Sequence, residues 1–118
     1  TELMEQVRIN QYGRQAELEI LLPLITAFQH GHPFWEGKYE QIPDIAPVAR
    51  GRALSRFAYF DRRLQVVPYL AGNSLSIADL TLYAALDFGR LAGLKVDQQH
   101  PHLFAYYQRM HEKFDSIR

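Results

Sequence analysis

The chain of 118 residues contains no cysteine, so it can form neither a disulfide framework nor a thiolate nucleophile or thiolate metal site. That absence suits a reducing compartment, and a cytoplasmic setting is expected. Neither sign of charge is in excess. Thirteen Lys and Arg balance thirteen Asp and Glu, which leaves no positive field to hold nucleic acid or an anionic membrane. Long apolar runs are missing too: the longest, residues 20–28, is interrupted by Pro23 and is far short of the roughly 20 residues a membrane helix needs. The first ten residues mix acidic and apolar positions, without the basic head and apolar middle of a signal peptide. With no internal repeat, low-complexity tract or Gly/Ser-rich linker, a single domain over residues 1–118 is expected.

Helical periodicity is what the chain does have, and no stretch alternates in the manner of a strand. Leu3, Val7, Leu18, Leu21, Leu22, Ile25 and Phe28 recur at helical spacing over residues 2–29, which predicts one long first helix. Pro23 removes a backbone donor inside it, so a kink is expected near Glu19. Gly31 and Pro33 end it, and an aromatic-rich connector follows, in which Phe34 and Trp35 are expected to anchor the loop. A second helix is expected from near Asp44 to Pro68, through Leu54, Phe57, Phe60 and Leu64, with Arg50, Arg52, Arg56 and Arg63 forming a solvated face on its other side. After a short connector, Tyr69 to Asn73, a third helix over residues 77–93 is apolar almost all round and is expected in the middle of the core. A last helix, residues 101–114, begins with Pro101 in its first turn and turns Leu103, Tyr106, Tyr107, Met110 and Phe114 inward. The expected fold is an all-α helical bundle with four main helices and room for short extra ones.

The most specific signal lies at the start of the third helix. Ser76 and Asp79 stand at capping-box spacing, where the Ser76 hydroxyl accepts from the Asp79 N–H and the Asp79 carboxylate accepts from the Ser76 N–H. Leu75 and Leu80 occupy the positions of a hydrophobic staple around that cap. This chemistry accounts for Ser76 and Asp79 as structural groups, and no catalytic residue is assigned to the chain. His30 with His32, and His100 with His102, form two His-x-His pairs. Each pair lies beside a proline at a helix end, and a metal needs three or four ligands, so no metal site is expected.

The run Tyr69-Leu70-Ala71-Gly72-Asn73-Ser74-Leu75-Ser76-Ile77-Ala78-Asp79, placed before an apolar helix, closely resembles the motif in the helical C-terminal domain of glutathione S-transferases. Ala16-Glu17-Leu18-Glu19 in the long first helix, Tyr39-Glu40-Gln41-Ile42-Pro43 before the second and His100-Pro101-His102-Leu103 opening the last extend the likeness, which is nearest to bacterial transferase-like proteins. The resemblance covers essentially all 118 residues but only half of a family member. It implies a missing N-terminal thioredoxin-like domain that binds most of the glutathione and supplies the residue activating its thiol. Conjugation of glutathione, as co-substrate, to a small electrophile is the activity implied for the parent protein, and this chain alone is expected to be inactive. The helical domain would then supply the wall of the electrophile pocket and part of a homodimer contact made by its first two helices.

Tyr12, Gln15 and Glu19 share one stripe of the first helix and are the pocket candidates, though an exposed polar stripe on any amphipathic helix has the same pattern. Many relatives carry Trp where Tyr12 stands. A reading of another class also remains, in which the domain is a non-catalytic protein-interaction or assembly module, as transferase-like domains are when fused to translation factors. A third is a binder of small apolar ligands between its helices.

Overall fold

The structure is a computed structural model that describes residues 1–115. Its helices are α1 (Glu2–Ala16), a π turn (Glu17–Leu21) and α2 (Leu22–Gly31), which run on without a break as the long first helix, then α3 (Ile45–Val66), α4 (Ile77–Ala92) and α5 (Pro101–Asp115). A single 3-10 turn, Pro33–Trp35, lies in the connector. The four-helix expectation holds. Among the described residues the one strand-like feature is an isolated bridge between Tyr69 and Gly72 in the turn before α4. No helix of the described residues is long and apolar enough to cross a membrane.

The disturbance expected from Pro23 is present as the π turn. Pro23 has no N–H to offer the carbonyl four residues back, and the chain takes up one extra residue instead, so that the Leu22 N–H donates to Glu17 O and the helix resumes. The inward face of the first helix differs from the one its large residues suggested. Ala16, Ile20, Leu24 and Ala27 are buried, whereas Leu3, Val7, Leu18 and Leu22 are exposed. Ala16 and Ala27 share the buried core with Ile20 and Leu24 and with Ala46, Ala49 and Ala53 of α3, small residues that let helices approach closely, while Leu3, Leu18 and Leu22 stay outside.

α4 is the central helix, packed against α1, α2 and α5, with Ala78, Leu82, Tyr83, Ala85 and Leu86 buried. It is not covered all round. Ile77, Leu80, Ala84 and Leu91 form an exposed apolar stripe along its outer side, with Ile77 64% and Leu91 59% exposed. Apolar composition reports that a surface needs covering but not which part of a protein covers it.

α5 starts where expected, but its cap comes from a distant helix. Asp61 Oδ1, in α3, accepts from the N–H groups of His102 and Leu103 at 2.8 and 2.9 Å. A carboxylate there meets the orphan donors and the positive end of the helix dipole together.

Candidate functional site

Two clusters hold the residues to which the sequence directs attention. The first is the junction built on Asp79, the sole buried charged side chain among the described residues. The capping box is formed: Asp79 Oδ2 accepts from the Ser76 N–H at 3.0 Å, and Ser76 Oγ takes the Ala78 N–H at 3.2 Å. The other carboxylate oxygen does what the local motif could not reveal. Asp79 Oδ1 accepts from the Leu70 N–H at 2.9 Å and from the Tyr106 hydroxyl at 2.8 Å. Burial, and then the Asp79 charge, push the Tyr106 phenol far above its ordinary range, so Tyr106 stays a donor. One carboxylate therefore joins the turn at Leu70, the start of α4 and the middle of α5, with both its oxygens occupied by donors of the chain. Leu75 and Leu80 flank the cap, each less than half exposed.

The second cluster contains the pocket candidates. Tyr12, Gln15 and Glu19 do share one side of the first helix, and that side meets α3. The Tyr59 hydroxyl donates to Gln15 Oε1 at 2.9 Å, Arg56 Nε donates to Glu19 Oε1 at 2.7 Å, and the Arg63 guanidinium stacks over the Tyr12 ring at 4.7 Å. Arg56 in turn lies over the Tyr59 ring at 4.5 Å. Each candidate is half-buried and partnered, which makes the stripe a polar stitch between two helices with one edge open to solvent.

The same contacts revise the expectation of a solvated arginine face. Arg56 and Arg63 are held by the stitch, Arg63 also donating to Leu70 O at 2.9 Å. Arg50 donates to Ala92 O, the last carbonyl of α4, at 3.2 Å. Long arginine stems lie along apolar surface while their heads reach carbonyls and carboxylates on neighbouring elements. Of the four, Arg52 alone is fully on the exposed side, where it borders an open groove of about 580 Å³ between the first helix and α3. None of Tyr12, Gln15 and Glu19 lines that groove.

The first histidine pair serves the connector, and the second lies at the start of α5. His30 Nδ1 accepts from the Ile42 N–H and His32 Nδ1 from the Phe34 N–H, each at 3.0 Å, and the His100 ring meets Phe57 edge-on at 5.6 Å. Among the described residues no group of three or more His, Cys, Asp or Glu is arranged to hold a metal ion. Trp35 packs among Phe28, Phe34 and Tyr39, and Phe28 packs edge-on against Phe88 of α4, so the aromatics anchor the connector to the bundle.

A third network was not anticipated. On the far side of α4, the Tyr107 hydroxyl donates to Asp87 Oδ1 at 2.8 Å and Arg90 Nε donates to the same oxygen at 3.1 Å. Nearby the Tyr83 hydroxyl and His111 Nδ1 are hydrogen-bonded at 2.8 Å. Burial acts against the Asp87 charge, but the Tyr107 and Arg90 hydrogen bonds outweigh it and hold the carboxyl below its usual range. Tyr107 is pushed up to about 12 by burial and by its bond to Asp87. The i, i+3 pair Asp87 and Arg90 is visible in sequence, but the tyrosine that completes it comes from another helix.

Comparison with known proteins accords with this architecture. Residues 16–113 match the family model described as "Glutathione S-transferase, C-terminal domain". Glutathione S-transferase 2 of Saccharomyces cerevisiae is 35% identical over 112 residues, which cover 93% of this chain and 48% of the yeast protein. A glutathione S-transferase of Pseudomonas putida is 33% identical over 92 residues, covering 78% of this chain and 40% of that protein. The crystal structure of Gtt2 from Saccharomyces cerevisiae superposes with a TM-score of 0.78 at 36% identity, over 86% of this chain and 50% of the yeast chain. A glutathione S-transferase domain-containing protein of Marinobacter aquaeolei also reaches 0.78, at 28% identity, over 90% of this chain and 53% of that one. The chain thus spans about half the length of the curated relatives it matches. With the family model matched across most of its length and the same helical bundle in its relatives, the chain belongs to the glutathione S-transferase family, as a C-terminal domain.

Proposed function

We propose that this domain is the helical half of a glutathione transferase, which conjugates glutathione to a small electrophile and draws on a thioredoxin-like half for the thiol-activating residue. The observation that carries this reading is the exposed apolar stripe of α4, Ile77, Leu80, Ala84 and Leu91, on a chain that spans about half of its relatives. A stripe of that kind on a central helix is a surface in need of a partner. In this reading the thioredoxin-like half is the partner that covers it.

In this reading the open edge of Tyr12, Gln15 and Glu19 is a wall of the electrophile pocket. The chemistry at the thiol belongs to the other half, where a donor hydrogen bond favours thiolate over thiol and so raises nucleophilicity near neutral pH. What this domain contributes is position: a wall stiffened by Arg56, Tyr59 and Arg63 keeps an apolar electrophile in a near-attack arrangement. The parent protein is a cytoplasmic homodimer in the same reading.

The test is an assay with glutathione and a chloronitrobenzene. The 118-residue chain alone gives no rate above background. The parent protein turns over, and Tyr12→Ala in it raises KM for the electrophile while leaving KM for glutathione unchanged. A parent that folds and shows no turnover would favour the assembly-module reading, for which the α4 stripe would be the docking face.

A further inference from the structure

We infer that the Tyr12 and Arg63 end of the polar stitch receives a carboxylate, so that the electrophile of this protein is an aromatic acid. The inference rests on the transferase reading above, in which Tyr12 is part of the pocket wall, and names the substrate class.

The two ends of the stitch differ in how far their polar groups are satisfied. At one end Glu19 is paired with Arg56 at 2.7 Å, and Gln15 accepts from the Tyr59 hydroxyl. At the other, Arg63 donates through Nε to Leu70 O and lies over the Tyr12 ring. Neither the terminal nitrogens of Arg63 nor the Tyr12 hydroxyl has a hydrogen-bond or ion-pair partner among the described residues. These groups are still reachable. Trp35 Nε1 is the one buried side-chain nitrogen or oxygen without a partner among the described residues, so the free groups of the half-buried Tyr12 and Arg63 keep surface open to a ligand.

The charge left over at this end decides the ligand. Glu19 of the same stitch is committed to Arg56, Asp61 of α3 to the first amides of α5, and Asp79 beyond Leu70 to Leu70, Ser76 and Tyr106. Arg63 is therefore a half-buried cation without a counter-charge. Taking a cation out of water costs free energy unless it is paired, which favours an anion over a neutral acceptor. The guanidinium fork matches the two oxygens of a carboxylate, and the Tyr12 hydroxyl adds a neutral donor beside it. The rings say what the acid is attached to. Arg63 lies 4.7 Å above the Tyr12 ring, which is 6.5 Å from the Tyr59 ring. An acid held there lies beside two aromatic rings, and a flat aryl body gains ring contacts that a short aliphatic acid does not.

Titration of the 118-residue chain with 3-nitrobenzoate and with its neutral analogue 3-nitrobenzamide, followed by the NMR signals of the Tyr12 ring, tests it. The acid is expected to bind about tenfold or more tighter than the amide, the scale of one hydrogen bond to a charged group. In Arg63→Gln that ratio falls to about one, and in Arg63→Lys part of it is kept. A merely structural Arg63 would weaken both ligands alike and leave the ratio in place. S-methylglutathione separates the two sources of a carboxylate, since it should leave the Tyr12 signals where they are. No turnover is measured, so the result is separate from the fate of the transferase reading. No saturable response to the acid, equal affinity for acid and amide, a ratio that survives Arg63→Gln, or an equal response to S-methylglutathione would each overturn the inference.

Discussion

The Tyr106 hydroxyl lies 2.8 Å from Asp79 Oδ1, in the buried centre of the bundle. This bond ties α5 to the start of α4, and the same oxygen holds the Leu70 N–H of the preceding turn. Replacing Asp79 by Ala leaves three donors, from Leu70, Ser76 and Tyr106, without their acceptor. Since each buried unsatisfied donor costs about 1–3 kcal/mol, Asp79→Ala is expected to lose about 3 kcal/mol or more and to unfold well below the wild type. Tyr106→Phe removes one of those donors together with its need, and costs about 1 kcal/mol. Thermal denaturation of both single variants and the double one checks this. A near-wild-type midpoint for Asp79→Ala would remove the junction from its central place.

Asp61 offers a more local test. It accepts two N–H groups at the start of α5 from a position 41 residues away in the chain, and thereby does the work of an N-cap. Asp61→Ala is expected to cost about 1 kcal/mol, in the usual range for a lost cap. The loss should be concentrated at one place. Hydrogen exchange at the Leu103 amide should accelerate more than at the Leu82 amide in the middle of α4, and equal acceleration at both would argue that Asp61 supports the whole fold evenly.

The Tyr107 and Asp87 pair makes stability depend on alkaline pH. Tyr107 is raised from 10.0 to about 12 in the folded chain, so its protonated form is favoured by folding. A group with a raised folded pKa contributes stability that is whole below the unfolded value and disappears as pH climbs through the folded one. The window is therefore pH 10 to 12. Wild-type stability minus that of Tyr107→Phe should be constant up to about pH 9 and shrink across that window. Asp87 runs the other way, since its lowered value gives a contribution that is present above the ordinary carboxylate range and lost on acidification. A Tyr107→Phe difference that grows at high pH would show the sign to be wrong.

What was legible in the sequence, and what was not, divides by range. Helix positions, the Ser76 and Asp79 cap and the disturbance at Pro23 were readable because each is set by residues within a few positions of one another. The second half of the Asp79 role was not, because Leu70 and Tyr106 reach it only through the tertiary fold. Nor was the partnering of Arg50, Arg56 and Arg63, whose acceptors sit on other helices. Tyr12, Gln15 and Glu19 were correctly grouped on one face by helical spacing, but spacing does not say what that face meets, and it meets α3. The apolar stripe of α4 misled for a related reason. Composition alone places the whole helix in the core, yet its outer side is exposed.

Gly89 is the residue whose importance the sequence hid most completely, since a glycine inside an apolar helix suggests only a modest loss of helix propensity. At the end of α4 the chain reverses through Gly93, a left-handed residue with φ of 87°, and the Leu94 N–H donates to Gly89 O at 2.8 Å. That return brings the Leu94 carbonyl oxygen to within 2.3 Å of where a Cβ on Gly89 would stand. The obstacle is backbone, not the tip of a flexible side chain. Gly89→Ala must therefore push the reversal away from the helix, and a cost of about 2–4 kcal/mol is expected, in the range of core overpacking and lost capping combined. Gly93→Ala meets only the flexible Arg50 side chain and is expected to cost about 1 kcal/mol through its positive φ. Chemical denaturation of the two variants distinguishes the cases. If Gly89→Ala proved the milder of the two, the close approach of Leu94 would not be what requires glycine there.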